Sequence, residues 1–503
     1  MQAFPYTEKL IQENPIFSPD ALTVAGESTE RARYAVYDPA TNRVVAEVDS
    51  CQGRDFQRAC DEASLCFESW RKSLPQERAR LLRRWYELIT AHEASLAQLI
   101  TIESGKPLQE AKAEVRYGAA FVEWFSEEAR RSYGEQIPTF SHGRRLFTSK
   151  EPVGVVAAIT PWNFPMAMVT RKCAPALAAG CTVVLKPAEA TPLTAIALGR
   201  LALEAGFPEG AFSVLPCARE NASQFTQVIA KNDLVRKVTF TGSTAVGKML
   251  MAQAAQTVKR ISLELGGNAP LIVFDDADLD TAVKGIMASK FRNSGQTCIC
   301  PNRIYVAASR LEALREKLLK KVERLQPGHG LNEGVNFGPL INVAARERIE
   351  RAVHQALTAP TGDGTAVQLL HGGRALPELG PRFYAPTVLA PVPHQHPLCA
   401  SEIFGPVVPL IPFKEEEEVI RAANDTRAGL AAYIFTESQR RAWQVSSALE
   451  SGMVAVNEGG LSTPIAPFGG VKESGLGREG ARQGLDEFLE IKYTTFGNLG
   501  ETF

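Results

Sequence analysis

Two side chains that could carry out covalent chemistry, Glu264 and Cys298, lie 34 residues apart in the second half of the chain. Glu264 ends an apolar run in ELGGNAP, and Cys298 lies in FRNSGQTCIC. A thiol can act as a nucleophile, and a carboxylate can act as a general base. A packing role remains open, because cysteine is often buried and a glutamate beside two glycines can belong to a turn.

Five further motifs occur in the chain. They are PWNFP at 161–165, LKPAE at 185–189, FTGSTAVG at 240–247, SEIFGP at 401–406 and PFGGVKESGLGRE at 467–479. Together with the glutamate and cysteine motifs, they resemble the motifs of the NAD(P)-dependent aldehyde dehydrogenases, in the same order and over nearly the whole chain. Within that superfamily the sequence most resembles the succinate-semialdehyde dehydrogenases.

The resemblance implies a catalytic role for three residues. Cys298 would attack the aldehyde carbon, and Glu264 would deprotonate the water that hydrolyses the resulting thioester. The side-chain amide of Asn163 and the backbone N–H of Cys298 would form the oxyanion hole. From its position between two prolines alone, Asn163 could equally cap or turn the chain.

The composition is that of a large globular protein. A chain of 503 residues is too long for a single hydrophobic core, which predicts two or three domains. A formal net charge of −1 gives no case for nucleic-acid binding. No apolar run approaches the length of a membrane span, and the N-terminus lacks a secretory pattern, so we expect a cytoplasmic enzyme without membrane contact.

Short apolar runs alternate with amphipathic segments between 153 and 265. The expected strands are 153–159, 182–187, 212–216, 236–241 and 259–265, and the expected helices are near 166–179, 191–204, 219–230 and 245–255. This order predicts a parallel, Rossmann-like sheet covered on both faces. The residues before 150 are mostly helical by pattern, and a second α/β unit follows from Asn268.

Ligands of such sheets bind at the carboxyl ends of the strands. The turn at 242–249, GSTAVGKM, is close to a P-loop, but Met249 replaces the magnesium-binding hydroxyl. A helix N-terminus after a glycine turn still favours a pyrophosphate, although a plain β-turn-α connection is the alternative. The resemblance implies that this turn binds the cofactor, and it extends the cofactor set to Thr160, Pro161, Trp162, Lys186, Glu189, Gly242, Ser243, Gly247, Leu265, Glu402 and Phe404.

The cofactor preference depends on Glu189. The resemblance implies that Lys186 and Glu189 hold the adenosine ribose, whereas a solvated surface pair is the simpler alternative. A carboxylate at this place would bind the ribose hydroxyls and repel a 2′-phosphate, so we expect NAD, with NADP possible.

Three residues are candidates for binding the substrate. Arg171, Arg292 and Ser462 match positions that bind the distal carboxylate in succinate-semialdehyde dehydrogenases, although most arginines are surface or capping residues. Guanidinium groups recognise carboxylates in a bidentate manner, which predicts a short aldehyde with a terminal carboxylate. Pro464 and Ile465 depart from the family form, so glutarate semialdehyde or a broader aldehyde specificity stays open.

The expected domains follow from the resemblance. An NAD(P)-binding domain would comprise 1–131 and 153–266, a catalytic domain 267–470, and an oligomerisation arm with the C-terminal strand 132–152 and 471–503. The segment 467–479 is expected to be a glycine-rich loop. An unpaired apolar strand in the arm favours a homo-oligomer, a dimer or a tetramer.

Nine cysteines with irregular spacing predict free thiols and no disulfide framework. Cys300, two residues from Cys298, is a candidate for a reversible redox switch, because a Cys-x-Cys disulfide is strained and easily reduced. A packing role for Cys300 is the alternative. The sequence contains no HExxH and no CxxC, and no metal site is proposed.

Three classes of function remain. An aldehyde dehydrogenase needs a nicotinamide cofactor and an aldehyde. A thiol esterase or acyltransferase could use Cys298 and Glu264 without a cofactor. A non-catalytic binding protein would leave Cys298, Glu264 and Asn163 without a purpose.

Overall fold

The computed structural model describes residues 32–359 and 366–500, and these form an α/β fold built on two large sheets. The predicted fold class, a Rossmann-like sheet followed by a second α/β unit and a small β arm, is confirmed. Among the described residues, no helix has both the length and the apolar character needed to cross a membrane.

The first large sheet has six strands. In spatial order they are Gly475–Leu476, Arg260–Glu264, Val235–Thr241, Val155–Ile159, Thr182–Lys186 and Phe212–Val214. All pairs are parallel except the one between Gly475–Leu476 and Arg260–Glu264. The central strands Val155–Ile159 and Thr182–Lys186 are buried at every residue, as expected for a parallel sheet covered on both faces. The connecting helices are Ala167–Ala179, Leu193–Ala205, Ala222–Lys231 and Thr244–Ala255.

The amino-terminal part is mostly helical, as predicted, with one exception. Strands Arg33–Tyr37 and Val44–Asp49 form an antiparallel hairpin that the sequence did not predict. Each strand is only five or six residues long, and the helical stripes that follow dominate the pattern of this region. The helices are Gly53–Trp70, Pro75–Ala91, Glu93–Ser104 and Leu108–Glu128.

The second large sheet has seven strands. In spatial order they are Gln368–His371, Thr387–Ala390, Val407–Phe413, Pro301–Ala307, Ala269–Val273, Ala431–Phe435 and Met453–Val456. Its helices are Leu279–Lys290, Leu311–Val322, Val343–Thr358, Glu416–Asn424 and Gln439–Ala448. The acidic sequence at 275–278 predicts that either Asp276 or Asp278 caps the helix that leads to the Cys298 loop. Asp278 is the cap, because its side chain accepts a hydrogen bond from the backbone N–H of Thr281.

The glycine-rich segment 467–479 is not a loop throughout, and this corrects the expectation. Val471–Lys472 pairs with Ala428–Gly429, and Gly475–Leu476 extends the edge of the first sheet, with Gly475 opposite Glu264. A β-carbon on Gly475 would come within 1.9 Å of the Leu263 carbonyl oxygen, so only glycine permits this close pairing. The segment therefore returns to the first sheet beside Glu264.

A small antiparallel sheet contains the chain end. Leu489–Phe496 pairs along its whole length with Arg145–Pro152, which also pairs with Gln136–Ile137. The helix Ala481–Asp486 connects it to the glycine-rich segment. The arm near 132–152 and the terminal strand therefore pair with each other within the chain, and their role as an oligomerisation domain stays a prediction.

The two large sheets meet at Glu264. This residue ends the strand Arg260–Glu264 of the first sheet, and five residues later Ala269–Val273 begins in the second sheet. The change of sheet supports a domain boundary at 266 and 267, which stays a proposal. A carboxylate at this junction lies where both halves of the molecule can contact it.

Candidate active site

The Cys298 loop is shaped by an unusual backbone turn. After the helix Leu279–Lys290, Asn293, Ser294 and Gly295 all adopt left-handed conformations, with φ of 50°, 55° and 76°. A β-carbon on Gly295 would lie 2.3 Å from the carbonyl oxygen of Gly405, so this position requires glycine. The turn brings the half-buried Cys298 close to the start of the strand Pro301–Ala307 of the second sheet. Such strained residues are typical of functional loops.

The Cys298 thiol is protonated at neutral pH in this state. Burial raises its pKa to about 12, and the carboxylates of Glu402 and Glu264 act in the same direction, while Arg171 opposes them. The electrostatic neighbours of the thiol therefore come from both sheets. Because the thiolate is the nucleophile, catalysis requires an added positive field or a proton acceptor beside the sulfur.

Asn163 is tied directly to the Cys298 loop. Its Nδ2 donates a hydrogen bond of 3.0 Å to the carbonyl oxygen of Gln296, two residues before the cysteine. In return, Nδ2 of Asn293 donates a hydrogen bond of 3.0 Å to the Asn163 carbonyl oxygen. The amide nitrogen of Asn163 carries a second hydrogen, which is available for an oxyanion. Hydrogen bonds thus join Asn163 to the loop that contains Cys298.

A buried ion pair supports this unit from behind. Lys106 and Glu114 contact each other with both side chains fully buried. Nζ of Lys106 also donates to the Asn163 carbonyl oxygen at 2.8 Å, and Oε1 of Glu114 accepts from the backbone N–H of Met166 at 2.9 Å. The PWNFP loop is therefore held at its middle and at its end.

Glu264 belongs to a different kind of environment. Burial raises the pKa of its carboxyl well above the usual value, and the neighbouring carboxylate of Glu479 adds to this effect. Glu479 forms ion pairs with Arg171 and Lys172, which more than offset its own burial and lower its pKa. Two carboxyl groups and two cations thus share one buried cluster, in which Glu264 is the carboxyl that holds a proton more readily.

The glycine-rich segment forms one wall of this cluster. A β-carbon on Gly469 would lie 2.9 Å from Oε1 of Glu264, so the carboxyl packs directly against the backbone there. Oε2 of Glu264 is buried and has no hydrogen-bond partner among the described residues. A buried carboxyl with one oxygen unpaired is suited to bind and deprotonate a water molecule.

The predicted pyrophosphate turn follows the strand Val235–Thr241. Ser243 is exposed and caps the helix Thr244–Ala255 by accepting a hydrogen bond of 3.4 Å from the backbone N–H of Val246. Gly247 lies against the side chain of Leu265, where a β-carbon would be 2.4 Å from Cδ2. Gly242 is half-buried beside them. The turn presents a helix N-terminus to solvent, as a phosphate site requires.

The Glu402 carboxyl lies next to this helix. A β-carbon on Gly266 would meet Oε2 of Glu402 at 2.8 Å and Oγ1 of Thr244 at 3.3 Å. Burial raises the pKa of Glu402 to about 7, and Oε1 of Glu402 has no partner within the described chain. A buried carboxylate oxygen without a partner fits a ribose hydroxyl, so these residues fit a nicotinamide dinucleotide.

Aromatic and strand-end residues complete the crevice. The rings of Trp162 and Phe404 meet edge to face at 5.6 Å, and Phe404 has a left-handed φ of 49°. Thr160 donates its backbone N–H to the Lys186 carbonyl oxygen at 3.2 Å, which joins two strand ends. Nζ of Lys186 is bonded to the Pro187 carbonyl oxygen at 3.0 Å. Pro161, Trp162 and Glu189 are half-buried there.

The three predicted substrate residues lie around an aromatic cluster. The guanidinium of Arg292 lies 4.6 Å from the Phe164 ring and 5.9 Å from the Tyr117 ring, and the Tyr117 hydroxyl contacts that of Ser462. Arg171 lies 4.0 Å from the Phe468 ring, and its charge is engaged by Glu479. Among the described residues, Arg292 has no carboxylate within 4 Å, so it is the available cation of the cluster.

Cys300 is buried and faces the end of the preceding helix. Its thiol donates to the carbonyl oxygens of Ser289 and Lys290 at 3.2 and 3.3 Å. Burial raises its pKa to about 11. All nine cysteines are free, as predicted. The redox-switch role of Cys300 stays a prediction.

A family model described as the aldehyde dehydrogenase family matches residues 25–494. The chain belongs to the aldehyde dehydrogenase family. It is therefore an oxidoreductase that uses a nicotinamide dinucleotide to oxidise an aldehyde.

Several relatives of this aldehyde dehydrogenase are themselves named for substrates. It is 54% identical, over 92% of this chain and 86% of the relative, to a mitochondrial succinate-semialdehyde dehydrogenase of Oryza sativa. It is 48% identical to the NADP(+)-dependent succinate-semialdehyde dehydrogenase GabD of Escherichia coli, over 92% and 94% of the two chains. It is 47% identical to a glutarate-semialdehyde dehydrogenase of Pseudomonas aeruginosa, again over 92% and 94%.

Solved structures agree with this family assignment. The crystal structure of succinate-semialdehyde dehydrogenase from Burkholderia pseudomallei matches with a TM-score of 0.91 and 47% identity, over 95% of this chain and 99% of that chain. A betaine aldehyde dehydrogenase of Staphylococcus aureus in complex with NAD+ matches with a TM-score of 0.91 and 32% identity, over 98% and 97%. The aldehyde dehydrogenase fold therefore covers nearly all of this chain.

Sequence reasoning missed several residues of this aldehyde dehydrogenase site. Lys106, Glu114, Tyr117 and Lys172 were assigned no role in the site. Glu479 lay inside a recognised motif, but its proximity to Glu264 depends on the strand Gly475–Leu476. No local pattern predicts partners so distant in the chain, and nothing in the sequence around Lys106 distinguishes it from a solvated turn residue.

Proposed function

We propose that this aldehyde dehydrogenase oxidises a short aldehyde with a terminal carboxylate, and that succinate semialdehyde, which would become succinate, is the preferred substrate. The observation that carries the proposal is Arg292. Its guanidinium is half-buried beside Phe164 and Tyr117 and has no carboxylate partner among the described residues. A cation in such a position is stabilised by an anionic ligand.

The Ser462 and Tyr117 hydroxyls support the same assignment. Their contact lies within the cluster that includes Arg292, so a carboxylate bound by the guanidinium could also accept a hydrogen bond from a hydroxyl. Arg171 is proposed to add positive potential, although its ion pair with Glu479 engages much of its charge. Relatives of this chain include enzymes named for succinate semialdehyde, glutarate semialdehyde and 3-sulfolactaldehyde, all of which are anionic aldehydes.

The first chemical step is addition of Cys298 to the aldehyde. The thiol loses its proton to solvent water, the sulfur forms a bond to the aldehyde carbon, and the carbonyl oxygen becomes an oxyanion. Nδ2 of Asn163 and the backbone N–H of Cys298 would donate hydrogen bonds to that oxyanion. A bound nicotinamide dinucleotide would supply the oxidant for the next change, in which a hydride, one proton with two electrons, leaves the former aldehyde carbon and a thioester remains on Cys298.

The second step is hydrolysis of the thioester. Glu264 would take a proton from a water molecule, the water oxygen would attack the thioester carbon, and the Cys298 sulfur would leave. The raised pKa of Glu264 increases its strength as a base once it is ionised. Glu479, Arg171 and Lys172 would set the potential at Glu264 without touching the substrate.

We propose NAD as the preferred cofactor. Glu189 is half-exposed after the strand Thr182–Lys186, where its carboxylate could accept hydrogen bonds from ribose hydroxyls and would repel a 2′-phosphate. The Escherichia coli relative is named as NADP(+)-dependent, so the preference for NAD needs a direct test. The test is to measure kcat/KM for NAD and for NADP, and a higher value for NADP would overturn the proposed preference.

The substrate proposal is tested by measuring kcat/KM of the wild-type enzyme for three aldehydes at a saturating cofactor concentration. We expect kcat/KM to be highest for succinate semialdehyde, lower for glutarate semialdehyde and lowest for butanal, the neutral aldehyde of equal chain length to the first. Arg292→Gln should remove the preference for the carboxylate and leave butanal oxidation almost unchanged. A wild-type preference for butanal would contradict the proposal.

Glutarate semialdehyde is the second candidate. Ile465, three residues after Ser462, is 64% exposed, so it is not packed as a side chain that would limit the length of the substrate. A preference for the five-carbon substrate would select this candidate over the four-carbon one.

Four further assignments stay proposals. The enzyme would form a dimer or tetramer through the sheet of Leu489–Phe496 and Arg145–Pro152, which sedimentation can test. It would work in the cytoplasm, although two plant relatives are named mitochondrial.

Cofactor-independent ester cleavage by Cys298 would be a side activity. Inactivation by peroxide that a thiol reverses in the wild type, but not in Cys300→Ala, would support the redox switch.

A further inference from the structure

A basic groove lies outside the proposed catalytic cleft and shares one residue with it. Its volume is about 940 Å³, and it lies between the helices Leu279–Lys290 and Leu311–Val322. The residues that line it include six basic side chains but only two acidic ones, Glu110 and Asp280. The basic side chains are Lys284, Arg292, Lys317, Lys320, Lys321 and Arg324.

Half of these basic side chains are exposed and uncompensated. Within residues 32–359 and 366–500, Lys284, Lys321 and Arg324 have no carboxylate within 4 Å, whereas Lys317 pairs with Asp280 at 2.7 Å. Lys320 pairs with Glu316 along the same helix at 2.6 Å. The formal net charge of the whole chain is only −1, so the groove is a local concentration of positive charge. Like charges that face one cavity repel each other unless an anion enters it.

Arg292 connects the groove to the proposed substrate site. It lines the groove, and its guanidinium lies over Phe164, the residue next to Asn163. The Tyr117 ring lies 5.9 Å from the same guanidinium, and the Tyr117 hydroxyl contacts that of Ser462. An anion that enters the groove would therefore meet exposed cations first and Arg292 last.

We propose that the basic groove is an approach site that binds the carboxylate end of the aldehyde and delivers it to Arg292. The inference rests on the proposed function, in that the substrate carries a carboxylate. Lys284, Lys321 and Arg324 raise the local concentration of anionic aldehyde by long-range attraction, and they discriminate against neutral aldehydes before the carbonyl group reaches Cys298. These residues contribute to specificity and take no part in the chemistry.

The test uses a triple variant, Lys284→Gln, Lys321→Gln and Arg324→Gln. A matched control, Lys72→Gln, Lys414→Gln and Arg440→Gln, removes the same charge from exposed residues that do not line the groove. The kcat/KM values for succinate semialdehyde and butanal are measured at saturating cofactor while the salt concentration rises from about 0.01 to about 0.1 M. This change shortens the Debye length from about 30 to about 10 Å.

For the wild type and the control, we expect kcat/KM for succinate semialdehyde to fall by about 3- to 10-fold with salt, and that for butanal to stay constant. The groove variant should have a kcat/KM for succinate semialdehyde about 5-fold lower at low salt, almost independent of salt, with unchanged kcat. Its butanal oxidation should equal that of the wild type.

Two results would overturn the approach site. One is a groove variant with the wild-type salt dependence for succinate semialdehyde, and the other is an equal loss for both aldehydes. Failure of the proposed function would look different, because the wild type itself would then prefer butanal over the carboxylate-bearing aldehyde.

Discussion

The nucleophile side and the base side of the cleft are held by different interactions. On the nucleophile side, the carbonyl oxygens of Asn163 and Gln296 accept directed hydrogen bonds from Lys106, Asn293 and Asn163 itself. On the base side, Glu264 shares a cluster of charges with Glu479, Arg171 and Lys172, and one of its oxygens has no partner among the described residues.

The difference follows from what each side must do. Oxyanion stabilisation requires donors at fixed positions, since preorganised dipoles need no rearrangement during the reaction. A general base must change its protonation state during the reaction. Neighbouring carboxylates raise its pKa, and neighbouring cations lower it. We therefore expect substitutions on the nucleophile side to lower the rate constant and those on the base side to move its pH dependence.

The largest expected effect is that of Cys298→Ala, which removes the nucleophile. Steady-state oxidation should fall by about 10⁴-fold or more, while the dissociation constant of the cofactor stays within experimental error. Cofactor binding is measured by fluorescence titration. Turnover at the wild-type rate would contradict the assignment of the nucleophile.

Asn163→Ala should have the next largest effect. Loss of one oxyanion donor lowers kcat by about 10²- to 10³-fold, with little change in the KM for the aldehyde. Asn163→Asp keeps the shape of the side chain but replaces the donor by an acceptor, and it should be at least as slow. A change confined to KM would show that Asn163 acts in binding alone.

Lys106→Met tests whether the nucleophile side is positioned from behind. Displacement of the Asn163 loop should lower kcat by about 10²-fold without weakening cofactor binding. Because the single variant leaves Glu114 buried without its partner, it should also lose stability. The double variant Lys106→Met, Glu114→Gln removes that charge. It should recover thermal stability but not kcat, and recovery of both would mean that Lys106 is only structural.

Glu479→Gln should move the pH profile of the base side. Burial and the Glu479 carboxylate raise the pKa of Glu264, and Glu479 also offsets the charges of Arg171 and Lys172. Removing the carboxylate lowers the pKa of Glu264, so the acidic limb of kcat against pH should move to lower pH. Glu312→Gln, on the exposed face of the helix Leu311–Val322, serves as a control that should leave the limb in place. A shift to higher pH would contradict the cluster.

The smallest expected effect is on stability. The pKa of Glu264 is higher in the folded state than its ordinary value of 4.5, so the folded state binds more protons and its stability falls as pH rises above that value. Glu264→Gln removes this penalty. The melting temperature should therefore rise by about 1 to 2 °C at pH 8, with a smaller gain at pH 5. Calorimetry at both pH values measures it, and a decrease at pH 8 would contradict the raised pKa.

The sequence predicted the parts of the site that follow from local pattern. Alternating apolar runs gave the order of strands and helices from 153 to 265, and the placement of Asn163, Lys186 and Ser243 at strand ends or turns was therefore correct. Asp278 was recognisable as a helix cap because its partner lies three residues away. In these cases the relevant partners are close in the chain.

The parts that the sequence did not predict depend on distant partners. The antiparallel strand Gly475–Leu476 brings Glu479 to Glu264, and the pairing of Lys106 with Glu114 matters only because both reach the PWNFP loop. From sequence alone, a charged residue is predicted to lie on the surface, because burial with a partner depends on tertiary packing. Arg171, predicted to bind the substrate carboxylate, is 2% exposed and paired with Glu479. The sequence could not predict this pairing, because the two residues are 308 positions apart.

The most direct test of the central claim is a rapid-mixing experiment with Glu264→Gln, succinate semialdehyde and NAD. A functional Cys298 and a disabled base should give a burst of one NADH for each active site, followed by turnover at least about 10²-fold slower than that of the wild type. Mass spectrometry of the quenched enzyme should find a succinyl group on the peptide that contains Cys298. Absence of both the burst and the adduct, or steady turnover at the wild-type rate, would contradict covalent catalysis by Cys298 with Glu264 as its base.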